Sequence, residues 1–276
     1  MKNKKMIILI IAAVVGGLLL VMTVRNGIKG KDIFVSGNIE ATEVRLSFQV
    51  GGKISELLTD EGLEVKNDAI VARLDKEELL KVKAECEASL KEAEVNMDTL
   101  KKDYDRAENL FKAGSISAQK RDAAENACAT ASARVDTLKA SLGVADLRLG
   151  YADLKCPMDS FVLVKSAEAG EVVQPGTVIF TVADLKNMWL TGYINETDLG
   201  KVKLSQKARV TIDSYPGKIY PGSISFIAQE SEFTPKQIET REERVKRVYR
   251  IKIKVDNTGM ELKPGMPAEA YIITGE

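Results

Sequence analysis

The sequence carries one short β-pattern twice, with a long helical segment between the two copies. Residues 53–74 form the first copy and residues 161–182 the second. Each copy reads as a strand, a glycine turn, a second turn rich in Asn, Asp, Pro and Gly, and another apolar strand. Aligning Gly62 with Gly170 also matches Val65 with Val173, Lys66 with Gln174, Ile70 with Val178 and Leu74 with Val182. We therefore predict one small β-domain split by a helical insert, with halves that meet again in space, a layout typical of a spacer rather than an enzyme.

The composition argues against several classes of function. The 276-residue chain has 40 Lys and Arg against 40 Asp and Glu, so no net charge attracts nucleic acid. It contains no histidine, which removes the commonest general base and the commonest metal ligand. No G-x-x-x-x-G-K-[ST] motif occurs, so ATP binding is not expected. The sequence thus predicts a protein that is not an enzyme, with no catalytic residues, no cofactor, no metal site and no nucleic-acid partner.

The N-terminal segment predicts a membrane anchor. Three lysines precede an apolar run over residues 6–24, and Arg25 follows it. As a helix, this run spans about 28 Å, close to the hydrocarbon thickness of a bilayer. The basic flank is expected to stay in the cytoplasm, which leaves the chain from about residue 27 outside the inner membrane. A cleaved signal peptide is the competing interpretation, although no small-x-small site ends the run.

The insert predicts an antiparallel coiled-coil hairpin over residues 75–152. After Leu79 the first apolar seam, which has one local stutter, comprises Val82, Cys86, Leu90, Ala93, Met97, Leu100, Tyr104, Ala107 and Phe111. The second seam has no fault and comprises Ala124, Cys128, Ala131, Val135, Leu138, Leu142, Ala145, Leu149 and Ala152. Two seams joined by a few residues are typical of a helical hairpin. A hairpin this thin has little core, so lateral packing against copies of itself is expected.

The hairpin also predicts that all three cysteines are free thiols. With a turn near residue 114, Cys128 faces about position 101, which places it about 22 Å from Cys86 along the helix. Cys156 is similarly distant from Cys86. A disulfide needs Cα atoms within about 7 Å, so no pair can form a bridge.

The predicted turn of the hairpin runs from Leu110 to Ser117. Gly114 suits the left-handed position that ends the first helix, and Ser117 suits the N-cap of the second. Arg106, Leu110 and Ser117 also fit the spacing R-x3-L-x6-S, with Arg106 and Leu110 one turn apart on one helical face. Two interpretations stay open: local helix capping, or a compact docking patch of a guanidinium, a leucine and a hydroxyl at an exposed tip.

The C-terminal third predicts a small β-barrel. Short β-patterned runs lie at 189–194, 208–212, 222–227 and 249–255, separated by turn signals. Residues 195–199 indicate a brief helix. The charged segment over residues 230–247 carries both signs, so we interpret it as a solvated loop.

Several of these features together resemble a known family. The split repeat, the hairpin insert and the R-x3-L-x6-S tip are similar to the periplasmic adaptors of bacterial exporters, the membrane fusion proteins of the HlyD group. The strings NETDLGKVK, QKARVTIDSYPGK, SEFTPKQIETREER and KPGMPAEA look like the YbhG-like adaptors of ABC-type exporters. The half-repeats resemble the halves of a lipoyl or biotinyl domain. The DKA-like and MKM motifs of true carriers are absent, and Lys53 and Lys165 lack those neighbours.

The resemblance implies an elongated α+β protein with a membrane anchor, a split lipoyl-like domain, an antiparallel α-hairpin and a β-barrel. Its expected segments are 1–26 (cytoplasmic tip and anchor), 27–42 (linker and first barrel or membrane-proximal strand), 43–74 and 153–184 (lipoyl-like halves), 75–152 (hairpin), 185–258 (barrel) and 259–276 (C-terminal strand). Larger adaptors carry a further membrane-proximal domain; here it would be minimal, built where residues 33–40 and 270–274 meet.

The resemblance also implies partners and a location. Such an adaptor sits in the bacterial inner membrane through one span, with its body in the periplasm, and forms a homo-oligomeric ring, usually of six. It joins an inner-membrane transporter, here ABC-type, to a TolC-type outer-membrane channel, which the tip contacts through Arg106, Leu110 and Ser117. Two alternatives stay open: an envelope scaffold without a transport role, and a lipoyl or biotinyl carrier protein.

Overall fold

The computed structural model describes residues 32–233 and 247–274. The predicted anchor over residues 1–26 and most of the charged segment over residues 230–247 lie outside this range. No helix in the described part of the chain has both the length and the apolar character needed to cross a membrane. The chain divides into two compact units, which we call the hairpin unit, Glu43–Ala183, and the barrel unit, formed by residues up to Thr42 and from Asp184.

The β-strands of the hairpin unit follow the predicted repeat. Two long strands, β1 (Ile33–Ser47) and β8 (Val178–Asn195), pass from one unit into the other. Between them lie β2 (Gly52–Leu57), β3 (Glu64–Val65), β4 (Ile70–Leu74), β5 (Asp153–Lys155), β6 (Ser160–Lys165) and β7 (Val172–Val173). The first half supplies β2 to β4, and the second supplies β6, β7 and the start of β8.

The two halves of the repeat exchange equivalent hydrogen bonds. Strand β2 pairs with β7, and β3 pairs with β6 in the matching register. The Gly62 N–H donates to the Val162 carbonyl at 2.9 Å, while the Gly170 N–H donates to the Ile54 carbonyl at 2.8 Å. Both glycines have positive φ, +81° and +96°, a region that side chains rarely adopt. The prediction that the halves reunite as one β-domain is therefore confirmed, with an approximate two-fold relation between them.

The apolar positions of both halves form one core. Equivalent residues are buried in each copy, as with Val65 and Val173, or Leu74 and Val182. Cys156 is also buried there, and its Sγ lies 3.1 Å from the Ser160 Oγ. All three cysteines are free, as predicted. The shared core explains why neither half is expected to be stable alone, because each would expose one apolar face to water.

The insert consists of two helices, α1 (Glu77–Lys112) and α2 (Ala118–Gly150), which pack against each other. The predicted α-hairpin is therefore confirmed. Its two ends are held in the β-domain, where the Leu74 N–H donates to the Ala152 carbonyl at 2.9 Å. At the same place, Lys76 Nζ lies 2.7 Å from Asp153 Oδ1.

The barrel unit contains a closed six-stranded barrel. Its further elements are α3 (Glu196–Leu199), β9 (Lys207–Ile212), β10 (Tyr220–Ile227), β11 (Glu232–Phe233), β12 (Arg247–Asp256) and β13 (Pro267–Ile272). The order around the barrel is β1, β13, β9, β10, β12 and β8, which returns to β1. Alternate residues of β9 and β13 point inward and are buried, as expected for a small filled barrel.

The strand pairing decides between the two roles that the sequence left open for the first strand. Residues 33–40 and 270–274 do meet, with Ile33 opposite Ile272 and Asn38 opposite Pro267. They do not build a separate membrane-proximal domain, because β13 also pairs with β9 and so belongs to the barrel wall. Within the described residues, the first and last strands of the unit close the barrel rather than add a domain to it.

A polar cluster joins two loops at one edge of the barrel. The Lys218 ammonium donates to both Glu261 carboxylate oxygens, at 2.7 and 2.6 Å, and the buried Tyr220 hydroxyl donates to the same carboxylate at 2.7 Å. The Lys218 hydrogen bond, followed by that of Tyr220, lowers the pKa of Glu261 below its ordinary 4.5. Burial, followed by the Glu261 hydrogen bond, raises the pKa of Tyr220 to about 12.

We predict that Glu261→Gln removes a pH-dependent contribution to stability. A lowered pKa in the folded state stabilises the protein above the unfolded pKa, and this stabilisation is lost as pH falls through the folded value. The variant should therefore melt at a lower temperature than the parent near pH 7, and the difference should shrink below about pH 4.5. Thermal unfolding followed by circular dichroism from pH 3 to 8 measures this. A difference that stays constant with pH would contradict the assignment.

Candidate functional site: the helical hairpin and its tip

The seam of α2 lies where the sequence predicts it. Every predicted seam position of α2 is at least half-buried, and Ala131, Val135 and Ala145 are fully buried. The seam of α1 is more open, since none of its residues is fully buried. The hairpin therefore has an apolar interface between its helices but hardly a core.

One predicted seam residue is wrong. Val82 is 40% exposed, and the seam of α1 passes through Lys83 instead. Lys83 Nζ lies 2.8 Å from Asp146 Oδ1 on the facing helix, and this hydrogen bond raises the pKa of Lys83. With Lys83 in place of Val82, the steps from Leu79 to Phe111 alternate regularly between four and three, so the predicted stutter disappears. That regularity was the signal in the sequence that would have identified Lys83.

The tip begins with a complete helix C-cap made by the backbone. Gly114 has φ +70°, and its N–H donates to the Phe111 carbonyl at 2.9 Å. The Ser115 N–H donates to the Leu110 carbonyl at 2.8 Å. Together these two bonds form a Schellman motif, the usual solution for the unpaired carbonyl groups of a last helical turn. The predicted left-handed Gly114 is confirmed.

Ser117 occupies the N-cap of α2 but does not cap it with its side chain. Its backbone is extended, and its carbonyl accepts hydrogen bonds from the N–H groups of Lys120 and Arg121 at 3.1 and 3.3 Å. The hydroxyl makes no capping hydrogen bond. The predicted position is right, whereas the predicted capping bond is not found, so the exposed hydroxyl is available for another partner.

The other two residues of the tip motif are also exposed. The Arg106 side chain is 72% exposed and contacts only Asp103 of its own helix at 3.2 Å among the described residues. Leu110, one turn further on, is 44% exposed. The structure therefore brings a guanidinium, a leucine and a hydroxyl to the surface of the hairpin end, with none of them used to hold the turn together.

A contact that the sequence analysis missed fixes the turn between the helices. The guanidinium of Arg121 in α2 lies 5.4 Å from the centroid of the Phe111 ring in α1. Arg121 is held in turn by Glu125 at 3.2 Å. This cation–π contact joins the two helices next to the exposed residues of the tip. No local spacing indicates it, because the two residues lie on opposite sides of the turn.

Neither a metal site nor a carrier lysine is evident among the described residues. No group of three or more Cys, Asp or Glu side chains among them is placed to hold a metal ion. Lys165, a conceivable carrier lysine, has Nζ 2.9 Å from Glu168 and 3.6 Å from Asp60. The Glu168 hydrogen bond raises the pKa of Lys165, and its side chain is only 22% exposed. Because these ion pairs hold the Lys165 ammonium, this lysine is not exposed as the attachment lysine of a lipoyl or biotinyl carrier would be.

Comparisons with known proteins agree with this architecture. The family description "RND MFP, alpha-helical hairpin domain" matches residues 82–152, and "YknX-like beta-barrel domain" matches residues 188–272. A UPF0194 membrane protein of Acidithiobacillus ferridurans is 26% identical, over 98% of this chain and 96% of its own length. A UPF0194 membrane protein of Enterobacter sp. (strain 638) is also 26% identical, over 87% of this chain and 88% of its own.

Two solved structures share the fold. MacA from Actinobacillus actinomycetemcomitans superposes with a TM-score of 0.66 at 24% identity, over 88% of this chain and 78% of its own. A MacA–MexA chimera with the Pseudomonas aeruginosa MexA α-hairpin domain gives a TM-score of 0.56 at 26% identity, over 88% of this chain and 81% of its own.

The fold and these matches define one architecture, built from a split β-domain, an α-hairpin of the RND MFP type and a YknX-like β-barrel. The chain carries the α-helical hairpin domain of the RND membrane fusion proteins, in agreement with the family that the sequence resemblance implied.

We predict that the Lys83–Asp146 pair helps to set the register of the hairpin. Lys83→Asp places a carboxylate opposite Asp146 and near Glu87, so the hairpin should melt a few degrees lower. The charge-swapped double variant Lys83→Asp/Asp146→Lys should recover most of the loss. Helix melting followed at 222 nm measures both. Equal melting of the single and double variants would show that the pair has no such role.

We predict opposite effects of alanine at two glycines of the hairpin. Gly143 lies inside α2 with open space around it, so Gly143→Ala should stabilise the hairpin by about 1 kcal/mol. Gly114 has positive φ, so Gly114→Ala should destabilise it by roughly 1–2 kcal/mol despite equally open space. Urea unfolding monitored by circular dichroism compares the two. A Gly114→Ala variant as stable as the parent would contradict the Schellman assignment.

Proposed function

We propose that the chain is a non-catalytic periplasmic adaptor that docks on a TolC-type outer-membrane channel through Arg106, Leu110 and Ser117. The observation that carries the proposal is the state of the tip: the backbone satisfies the end of α1, while all three side chains remain exposed. Had the motif served helix capping, the Ser117 hydroxyl would be bound to the backbone of α2.

The chemistry of the tip suits a small docking contact. Arginine offers a planar fork of donors for carboxylates and carbonyl groups, and a single exposed leucine can fill a shallow apolar depression. A hydroxyl can donate and accept on the same partner. Because the cation–π contact of Phe111 with Arg121 fixes the turn, little conformational entropy is lost when the tip binds.

The proposal also covers the N-terminal segment of the chain and its inner-membrane partner. Residues 6–24 would anchor the chain in the inner membrane by a single span, with the body in the periplasm. There it would serve an inner-membrane transporter, and the strings that resemble YbhG-like adaptors favour an ABC-type pump. ATP hydrolysis by the pump would drive export, and this chain would hold the pump and the channel in position.

The proposal includes self-association into a ring, of six copies as in the family, which the thin interior of the hairpin favours. Several large apolar residues of the hairpin are exposed although its interior is thin: Leu80, Val82, Val95, Val144 and Leu147. Lateral contacts between hairpins would cover such residues, as solvent exposure of apolar side chains at this density is costly.

Two alternatives make different predictions. An envelope scaffold would share this fold, but its tip would contact no channel, and a deletion strain would keep normal export. A lipoyl or biotinyl carrier would show an added mass on a lysine, which the ion pairs of Lys165 disfavour.

We predict that a photoreactive residue at position 110, in cells, captures an outer-membrane channel. The same capture should fall at least about ten-fold in an Arg106→Asp background, because the charge reversal removes the guanidinium from the docking patch. Arg106 contacts only Asp103 among the described residues, so the variant should fold normally. Immunoblotting and mass spectrometry of the crosslinked product provide the measurement.

The matched control is Lys91→Asp, which reverses an equally exposed charge on α1 about 22 Å from Arg106. Capture should be unchanged in this control. If only sister subunits or inner-membrane proteins were captured from position 110, the proposed docking function of the tip would be wrong.

A further inference from the structure

The barrel has one edge at which the N-terminal segment of the chain joins it, and we call this the entry edge. Strand β1 begins there with Ile33, opposite Ile272 at the end of β13. Strand β9 also begins there, since Ala208 is opposite Ile272 and the Ile273 N–H donates to the Lys207 carbonyl at 3.0 Å. The loop over residues 200–206, which follows α3, therefore lies at the same edge.

This loop and the start of β9 are basic. Four of the nine residues over 201–209 are Lys or Arg, and none is acidic, although the whole chain is electrically neutral. Lys201 pairs with Asp198 and Arg209 with Asp32, in contacts exposed to solvent. Lys203 is exposed and makes no ion pair among the described residues. The edge therefore presents positive charge to whatever lies beyond it.

Apolar side chains accompany these lysines. Leu204 is 62% exposed between Lys203 and Ser205, and the loop lines a shallow cavity of about 360 Å³ with Ile273 and Thr274. Ser205 has φ +64°, so the backbone of the loop adopts an uncommon conformation at this point. An exposed leucine flanked by lysines is a combination common on surfaces that touch a membrane.

An aromatic pair lies near the same edge. Phe34 is the second residue of β1 and Tyr271 the last but one of β13, and their ring centroids are 5.5 Å apart. The two side chains are 51% and 37% exposed. Aromatic residues concentrate at the interface between the hydrocarbon and the headgroups of a bilayer.

The chain itself brings this edge close to the membrane. The apolar run ends at Val24, and Asp32 is the first residue described at the entry edge. The intervening residues can span at most about 28 Å, since an extended chain covers about 3.5 Å per residue. Arg25, Lys29 and Lys31 lie within this stretch, which adds further positive charge.

We propose that the entry edge of the barrel rests on the membrane surface and binds anionic phospholipid headgroups, with Lys203 at the phosphates and Leu204 in the headgroup layer. This inference rests on the membrane anchoring in the proposed function. The lysines supply point charges for the phosphates, and the aromatic pair lies at the boundary between water and lipid. The contact would fix the tilt of the barrel above the bilayer.

The test uses the full chain, inserted into nanodiscs of phosphatidylglycerol with no other protein present. A photoreactive residue at position 204 should yield phospholipid adducts, detected by intact mass. The matched control is position 219, because Ile219 is 55% exposed but precedes β10, at the other end of β9. Position 219 should yield no more than background.

The charge dependence tests the headgroup assignment. Lys203→Glu should reduce the adduct at position 204 by about five-fold or more in phosphatidylglycerol, since each lysine near an anionic surface contributes roughly that factor. Phosphatidylcholine discs should also reduce it. Lys254→Glu, on an exposed position of β12, should leave the adduct within about two-fold.

Four results would overturn the proposal. Equal adducts at positions 204 and 219 would show no preferred edge, and adducts insensitive to Lys203→Glu and to the headgroup would show no anionic recognition. Capture of an inner-membrane protein instead of lipid from position 204 in cells would make the edge a protein-docking surface. A chain that fails to insert into discs would instead refute the anchor itself, whereas an inserted chain without adducts refutes only the lipid contact.

Discussion

The pairing of the two half-repeats is the constraint on which the hairpin unit depends. The mutual hydrogen bonds of Gly62 with Val162 and of Gly170 with Ile54 close one β-domain from segments separated by the whole hairpin. Closure brings β4 next to β5, and so fixes the two ends of the insert side by side. The helices can then be long and polar, because the β-domain rather than their own interior sets their start and end.

That arrangement explains the weak packing of the hairpin. Its seam buries only alanine and valine completely, and one seam position is a lysine paired with Asp146. A hairpin with such an interior depends for its stability on its anchored ends and on contacts such as the Lys83–Asp146 pair. At its far end the backbone and the contact of Phe111 with Arg121 hold the turn. The exposed side chains of the tip are consequently free to serve a partner.

The barrel unit holds its first and last strands, β1 and β13, together. Because β13 pairs with both β1 and β9, the residues just after the predicted anchor and the residues near the C-terminus lie at one edge. The lysines and the exposed leucine of the neighbouring loop lie there as well. The closed barrel thus gathers basic and apolar side chains from distant parts of the sequence onto a single surface.

Local periodicity in the sequence determined the repeat, the two helices, the left-handed Gly114 and most of the strands, because each depends on side chains a few residues apart. The tertiary structure decided three further points. The regular spacing of the seam already indicated Lys83, but its partner Asp146 on the other helix explains why a lysine lies there. The hydroxyl of Ser117 stays exposed because the Ser117 carbonyl, and not the side chain, accepts hydrogen bonds from the first turn of α2. The strand β1 closes the barrel because it lies between β13 and β8, a pairing of residues far apart in the sequence that no local pattern connects.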